Sequence, residues 1–463
     1  MVDMDLHVRR GKLGASCPMD GEELPEIRRG IQAVAFRNDM DYILPMSDQP
    51  PSLLFADCGG NIMDFPGLAL VGRSGDYLVP VLEEETMVLP RGSQLYVLPG
   101  RHPVGMDPET GEVVVLEENP YDGSRPVFAV AAFLPAAHTQ TFLSAWNCAG
   151  GVKELPLFAY TAVGWKDGFV TTALRTDESH RQDPDLFDHA QVEAGIRRWR
   201  LEFPRNRLVE HLTHCATCYG CPAALNLFQG REEAPLPTSP ACNASCIGCI
   251  SRQTGDRPPS PQERITFVPS PEEIAEVALA HIAAVAEPVV SFGQGCEGEP
   301  LMVSETIREA IRLIRSATPR GTINLNTNAS LPRKVAELAD AGLDSMRISM
   351  NSARRQTYET YFRPSYPFEA LARSAHEMKS RRKFVSLNLF VFPGLTDVPR
   401  EAQALKRFVE ETGVDMIQWR NLNMDPDAYL GMLGQKLPAG IGIRKVMETV
   451  PVRKGYFNPY LGG

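Results

Sequence analysis

No stretch of this 463-residue chain is apolar for long enough to cross a bilayer, which excludes a helical membrane span. The first residues, Met1 to Gly14, alternate charged and apolar types and lack the apolar core of a secretory signal, so a cytoplasmic protein is expected. A basic excess is missing too. The formal net charge is −10, which argues against a general nucleic-acid binder, whose footprint is a basic patch or a basic balance. What the chain does carry is cysteine. Six of its ten cysteines fall between Cys215 and Cys249. Disulfide frameworks belong to small secreted chains, whereas clustered cytosolic cysteines are more often metal ligands.

The later group, Cys242-Asn243-Ala244-Ser245-Cys246-Ile247-Gly248-Cys249, has CxxxCxxC spacing. Three thiols on a tight loop can hold three irons of a 4Fe–4S cluster and leave the fourth iron open to a small molecule. Ferredoxin-type runs supply four cysteines and close every iron. Paired zinc knuckles also supply four ligands. The earlier group, His214-Cys215-Ala216-Thr217-Cys218-Tyr219-Gly220-Cys221-Pro222, is CxxCxxC. It reads as a turn, tightened at Gly220, that points Cys215, Cys218 and Cys221 at one metal centre. A second, auxiliary 4Fe–4S cluster is the expectation. A zinc site is the alternative, and it needs one more ligand, from His214 or Cys296. Cys17, Cys58 and Cys148 stand alone. The last two are expected to be buried thiols.

Pattern divides the chain into four parts. Residues 1–25 read as a lead-in. Residues 26–170 hold short apolar runs, among them 31–36, 68–71, 77–82 and 127–134, separated by Gly, Pro, Asp and Asn, and so form a β-rich N-terminal domain. Residues 171–234 form a helical linker carrying the first cysteine group. It reads as a polar loop, then a helical period interrupted at Pro204. From 235 to 463 strands and helices alternate, the sign of a parallel α/β architecture. Six strands are expected there, the first in Glu232–Pro240. Six βα units suit an open, partial (β/α)6 TIM-like barrel, whose site lies at the carboxyl ends of the strands.

The CxxxCxxC loop after the first strand, and the Gly298-Glu299-Pro300 triplet after the second, resemble the radical S-adenosylmethionine (radical SAM) family. The resemblance covers about Pro235 to Val450. It implies that Cys242, Cys246 and Cys249 hold a 4Fe–4S cluster and that the open iron takes SAM. It also implies that an electron, from a small donor such as a flavodoxin or ferredoxin, cleaves SAM to methionine and a 5′-deoxyadenosyl radical. In this reading Glu299 meets the SAM ammonium group within the Gly298-Glu299-Pro300 motif. Ser349 and Asn351 face its ribose and carboxylate, and Asn388 lies on the fifth strand nearby. Arg347 either joins them or pairs with a carboxylate inside the barrel. Many family members place an aromatic residue before the last cluster cysteine; here it is Gly248, and Phe292 or Phe392 is expected against the adenine instead.

Cys296 lies in the same glycine-rich loop. It is the fourth ligand of the auxiliary centre, a catalytic radical relay or acceptor thiol, or a buried small residue. The contrasting reading of the whole chain is a non-catalytic iron–sulfur or zinc scaffold that passes electrons. Glu299 discriminates, because a scaffold has no use for a SAM-binding carboxylate at a strand end. Peptide, lipid, nucleoside and cofactor precursor all stay open as substrate.

Overall fold

The computed structural model describes residues 50–148 and 150–462. The expected lead-in, Cys17 and the apolar run 31–36 lie outside them. From Ser52 to Arg175 the chain forms short antiparallel strands, most of them in a single sheet assembly. Alternation places Leu54, Ala56, Leu95, Val130 and Ala132 in one apolar cluster under this sheet. The polar stretch after Thr171 is not all loop, for Ala173–Arg175 pairs with His138–Gln140. Cys58 and Cys148 are exposed, contrary to the expectation of buried thiols. Cys58 sits in the tight turn Asp57-Cys58-Gly59-Gly60, and Cys148 ends an edge strand.

Pro204 does separate two helices, α1 (His189–Glu202) and α2 (Arg207–Tyr219). Asn206 caps α2, its side chain accepting the Leu208 and Val209 N–H groups. A third helix, α3 (Pro222–Gln229), leads into the second half of the chain.

That half is one parallel sheet whose strands lie in chain order: β1 (Glu233–Pro235), β2 (Val289–Phe292), β3 (Thr322–Thr327), β4 (Ser345–Met350), β5 (Phe384–Val391), β6 (Met416–Asn421) and β7 (Arg453–Gly455). β1 does not pair with β7, so the barrel is open. The sheet has seven strands rather than the expected six. β7 escaped notice because Arg453-Lys454-Gly455 has no apolar run to mark it. Helices cover the outside, among them α4 (Pro271–Ala284), α5 (Ser304–Ala317), α6 (Pro332–Ala341) and α7 (Arg355–Phe362). Ser270 and Glu273 close a capping box at the start of α4, worth about 1 kcal/mol. In α5, Ile307, Ala310, Ile311 and Ile314 form a buried stripe at helical spacing. Each isoleucine buried this way contributes about 1.5–3 kcal/mol.

The N-terminal sheet docks at the carboxyl ends of β5 and β6. Gly75 donates its N–H to Pro393 O at 3.0 Å, and Gln140 N–H reaches Asn421 Oδ1 at 2.9 Å. Arg101 pairs with Asp425 at 2.8 Å with both side chains buried, and Leu155 N–H adds a second donor to the same carboxylate oxygen. A buried pair of this kind is tolerable only when further hydrogen bonds satisfy its charge. The sheet thus covers part of the barrel mouth. Among the described residues no helix is long and apolar enough to cross a membrane.

Candidate functional site

The chain leaves β1 and reaches Cys242 on a loop that two other segments hold. On one side is the loop after β2. Gly298 donates its N–H to Ser239 O at 2.6 Å, and Glu299 N–H reaches Ala241 O at 2.8 Å. A Cβ on Gly298 would stand 2.0 Å from Ala241 O, so only glycine lets the two loops close. Glu297 completes this side. Its buried carboxylate accepts the N–H groups of Thr238 at 2.8 Å, Ser239 at 3.0 Å and Gln294 at 2.7 Å. The sequence reading missed Glu297; the signal was a second acid across a single glycine from Glu299.

The other side is the carboxyl end of α7, also missed. Ser245 N–H donates to Phe362 O at 3.0 Å and Ile247 N–H to Tyr361 O at 2.9 Å. Helix-terminal carbonyls lack partners within their own helix, and here the cysteine loop supplies them. Tyr361 also explains Gly248. A Cβ at 248 would lie 2.6 Å from the Tyr361 hydroxyl oxygen, so the side chain missing from the loop is replaced by one from α7. Phe292 and Phe392, expected near the adenine, are packed inside the apolar core, as is Tyr361. Gly248→Ala is expected to destabilise the protein by about 1–3 kcal/mol through overpacking. Tyr361→Phe should recover most of that loss in the double variant, as read from thermal unfolding of all four proteins. Additive effects would show that the two positions do not touch.

The thiols fit a multi-iron group. Burial, and then the charges of Cys249 and Cys242, push Cys246 far above the usual thiol range. The Arg264 guanidinium lies 3.4 Å from Cys249 Sγ. Burial and the neighbouring cysteines disfavour the thiolate form here, and a positively charged iron core would favour it. Cys242, Cys246 and Cys249 would hold it.

Glu299 stands beside this loop. It is buried, and its carboxylate accepts the Asn328 N–H at 2.8 Å, the Leu301 N–H at 3.1 Å and the Thr327 hydroxyl. Burial pushes its carboxyl up to about 7, with the three donors acting in the opposite direction. The Glu299 charge in turn raises Cys242, after burial, which marks the two groups as neighbours. An ionised carboxylate offers about four acceptor positions, so it has capacity for a cationic ligand. Pro300 opens a short 3-10 turn that delivers the Leu301 N–H back to it.

Ser349 on β4 and Asn388 on β5 are aligned in register, and Gln418 on β6 continues the row. The Asn388 Oδ1 is buried without a hydrogen-bond partner. Asn351 is tied into the core through its amide nitrogen, to Thr357 O at 3.2 Å and the Tyr429 hydroxyl at 2.9 Å, while its Oδ1 is also unpaired. Buried amide oxygens seldom stay unpaired. Among the described residues Arg347 pairs with no carboxylate: it reaches Gln418 Oε1 at 2.9 Å, and burial followed by the Arg420 charge lowers it to about 9. Much of the polar interior is a satisfied network in which Asn458, from the chain after β7, bridges Glu233 and Gln418.

The first cysteine group is not a turn. Cys215 and Cys218 lie on α2, because the apolar face Leu208, Val209, Leu212 and Ala216 carries the helix through them to Tyr219. Gly220 then caps it in the left-handed region at φ 59°, and Cys221 caps α3. Helical spacing separates the three thiols. Cys218 is exposed, with its sulfur 3.2 Å from His214 Nδ1. Cys215 is buried against Cys296, and His211, one turn earlier, lies 3.6 Å from its sulfur. The ligand atoms of His211, Cys215 and Cys296 all lie within 4.8 Å of one another. Cys296 is raised by its hydrogen bond to Cys215, by burial, and then by the charges of Cys215 and Cys221. The structure therefore brings His211, Cys215 and Cys296 together and leaves Cys218 outside. His211 was missed, although the i, i+4 spacing to Cys215 was visible. Gly293 and Gly295, in the loop that carries Cys296, pack tightly: a Cβ at 293 would strike Asn326 O at 1.7 Å and one at 295 would meet Gln262 and Ile250.

Residues 236–405 match the family model described as Radical SAM superfamily. Among curated relatives, the GTP 3′,8-cyclase of Lactiplantibacillus plantarum is 26% identical over 163 residues, covering 35% of this chain and 46% of that protein. GTP 3′,8-cyclase 2 of Mycobacterium tuberculosis is 28% identical over 181 residues, covering 38% and 46%. The chain thus spans less than half the length of the curated relatives it matches. Among solved structures, methylornithine synthase overlaps 52% of this chain and 66% of its own at 12% identity and a TM-score of 0.31. Streptococcus suis SuiB, solved with its precursor peptide SuiA, overlaps 40% and 38% at 16% identity and a TM-score of 0.30. The segment that holds the cysteine loop and Glu299 is thus the part of the chain that matches the radical SAM superfamily model.

Proposed function

We propose that the protein is a radical SAM enzyme that cleaves S-adenosylmethionine reductively and abstracts a hydrogen atom from a substrate held at the barrel mouth. When bound on Cys242, Cys246 and Cys249, the 4Fe–4S group supplies the electron that cleaves SAM to methionine and a 5′-deoxyadenosyl radical. A small electron donor of the flavodoxin or ferredoxin type would supply that electron in turn. The observation that carries the reading is Glu299, a buried carboxylate next to Cys242 whose own backbone is bonded to the cysteine loop. A scaffold protein gains nothing from a buried acid in this place, because burial disfavours its charge. A ligand ammonium group repays that cost. Ser349, Asn388 and the free Oδ1 of Asn351 supply polar groups for the rest of SAM. His211, Cys215 and Cys296, whose ligand atoms lie together, would hold a second metal centre.

The reading is tested with anaerobically reconstituted, dithionite-reduced protein. SAM consumption should yield methionine and 5′-deoxyadenosine in equal amounts. Intact SAM in the presence of a fully loaded, reduced protein would overturn it.

A further inference from the structure

We propose that the second centre is a closed, single-ion site of the zinc type, held by His211, Cys215, Cys221 and Cys296, with Cys218 excluded. The inference deepens one part of the function proposed above, and its readout is metal content, which does not depend on SAM chemistry.

Spacing carries the argument. Around one tetrahedral ion, bonds of about 2.0–2.3 Å set neighbouring ligand atoms about 3.3–3.8 Å apart. The His211 Nε2 to Cys215 Sγ distance is 3.6 Å, and both atoms and the Cys296 sulfur fall within 4.8 Å of each other. A 4Fe–4S group instead takes each sulfur on a different iron, which spreads the ligands. Among the described residues Cys242, Cys246 and Cys249 form no such compact group. The two sites therefore differ in the way that a four-iron group and one ion would require.

Burial and topology agree. Cys215 is 1% and Cys296 4% exposed, so the site is closed to water, as structural zinc sites are. His211 and Cys215 share one face of α2, a turn apart. The half-buried Cys221, at the start of α3, donates its N–H to Cys215 O at 3.1 Å, which sets it beside the trio as the fourth ligand of this proposal. Cys218 and His214 face outward one helical position on, with His214 Nε2 engaged by the Tyr219 hydroxyl at 3.2 Å. An ion here would tie α2 and α3 to the loop that carries Glu299, three residues beyond Cys296.

Protein purified anaerobically and reconstituted with iron and sulfide should carry about four irons and, separately, about one zinc per chain. Cys296→Ser and His211→Gln should lose at least about 80% of the zinc and keep the iron; Cys218→Ser should keep both. Should those variants fail to fold, cobalt(II) exchanged into the unaltered protein decides the matter, since three thiolates around tetrahedral cobalt give an intense sulfur-to-metal charge-transfer band. About eight irons with no zinc, and a loss of about four in Cys218→Ser, would establish a second cluster instead. A zinc-free protein without the cobalt band, or an intact mass showing a Cys215–Cys296 disulfide, would likewise overturn the proposal. Zinc without SAM cleavage would sink the proposed enzyme function and leave this site standing.

Discussion

A Cys246→Ser protein is expected to purify folded, to lose the roughly four irons of the CxxxCxxC loop, and to form no 5′-deoxyadenosine above the reductant background. Cys246 is half-buried, and after burial the charges of both other thiols press on it. Serine keeps the shape of cysteine and removes the soft thiolate that iron prefers. The hydroxyl left behind costs about 1–3 kcal/mol if it finds no partner, against a total stability of about 5–15 kcal/mol. The backbone anchors of the loop, Ser245 N–H on Phe362 O and Ile247 N–H on Tyr361 O, do not depend on the thiol. A thermal midpoint within several degrees of the parent would therefore show that the iron was lost for want of a ligand and not through unfolding. Any metal held at the proposed His211, Cys215 and Cys296 site should be unaffected. Retained iron together with undiminished SAM cleavage would remove Cys246 from the ligand set.

What could be read from the sequence was whatever is local in it. The CxxxCxxC spacing, the glycine and acid at 298 and 299, and the alternation of strand and helix after residue 235 are patterns within short windows, and these placed the parallel sheet and the Glu299 loop. Contacts that join distant segments were not legible. Tyr361 fills the space above Gly248 from more than a hundred residues away, and Asn458 returns from the far end of the chain to bridge Glu233 and Gln418. The error at Cys215, Cys218 and Cys221 has a different origin. Cysteine spacing was weighed there as a metal motif, while the apolar period of Leu208, Val209, Leu212 and Ala216 indicated a helix running straight through it. A helix turns adjacent members of such a motif toward different surroundings, so Cys218 faces water and His211 takes the place beside Cys215. Cys58 is exposed for another reason: it sits in a turn with Asp57, Gly59 and Gly60, residue types that favour turns at the surface.

Glu299→Gln should weaken SAM binding by about 10- to 150-fold while iron content stays at the parent value. The range follows from a charge-assisted hydrogen bond worth about 1.5–3 kcal/mol, at about 1.36 kcal/mol per decade. Glutamine keeps the volume and one acceptor, so the Thr327 hydroxyl can still be satisfied. Its amide nitrogen must face either Asn328 N–H or Leu301 N–H, donor against donor, at a cost of about 1–3 kcal/mol in stability. Glu299→Ala would vacate all three donors and confuse binding with folding, which makes glutamine the better variant. The pH profile separates charge from shape. The carboxyl is pushed up to about 7 by burial, so in the free protein the charged form that an ammonium group needs is the minority form below that pH. An α-amino group stays mostly protonated below about 7.7. Between pH 6 and pH 7.5 the parent protein should therefore gain SAM affinity by about fivefold, because the ionised carboxyl fraction rises from about one in ten to about three in four while part of the ammonium charge is lost. The glutamine variant has no carboxyl to titrate there, so its affinity should show no rise across the same interval and fall by less than about twofold as the ammonium group loses its proton. Anaerobic equilibrium dialysis of both proteins measures this. A parent profile as flat as that of the variant, or equal affinities at pH 7.5, would take the ammonium group away from Glu299.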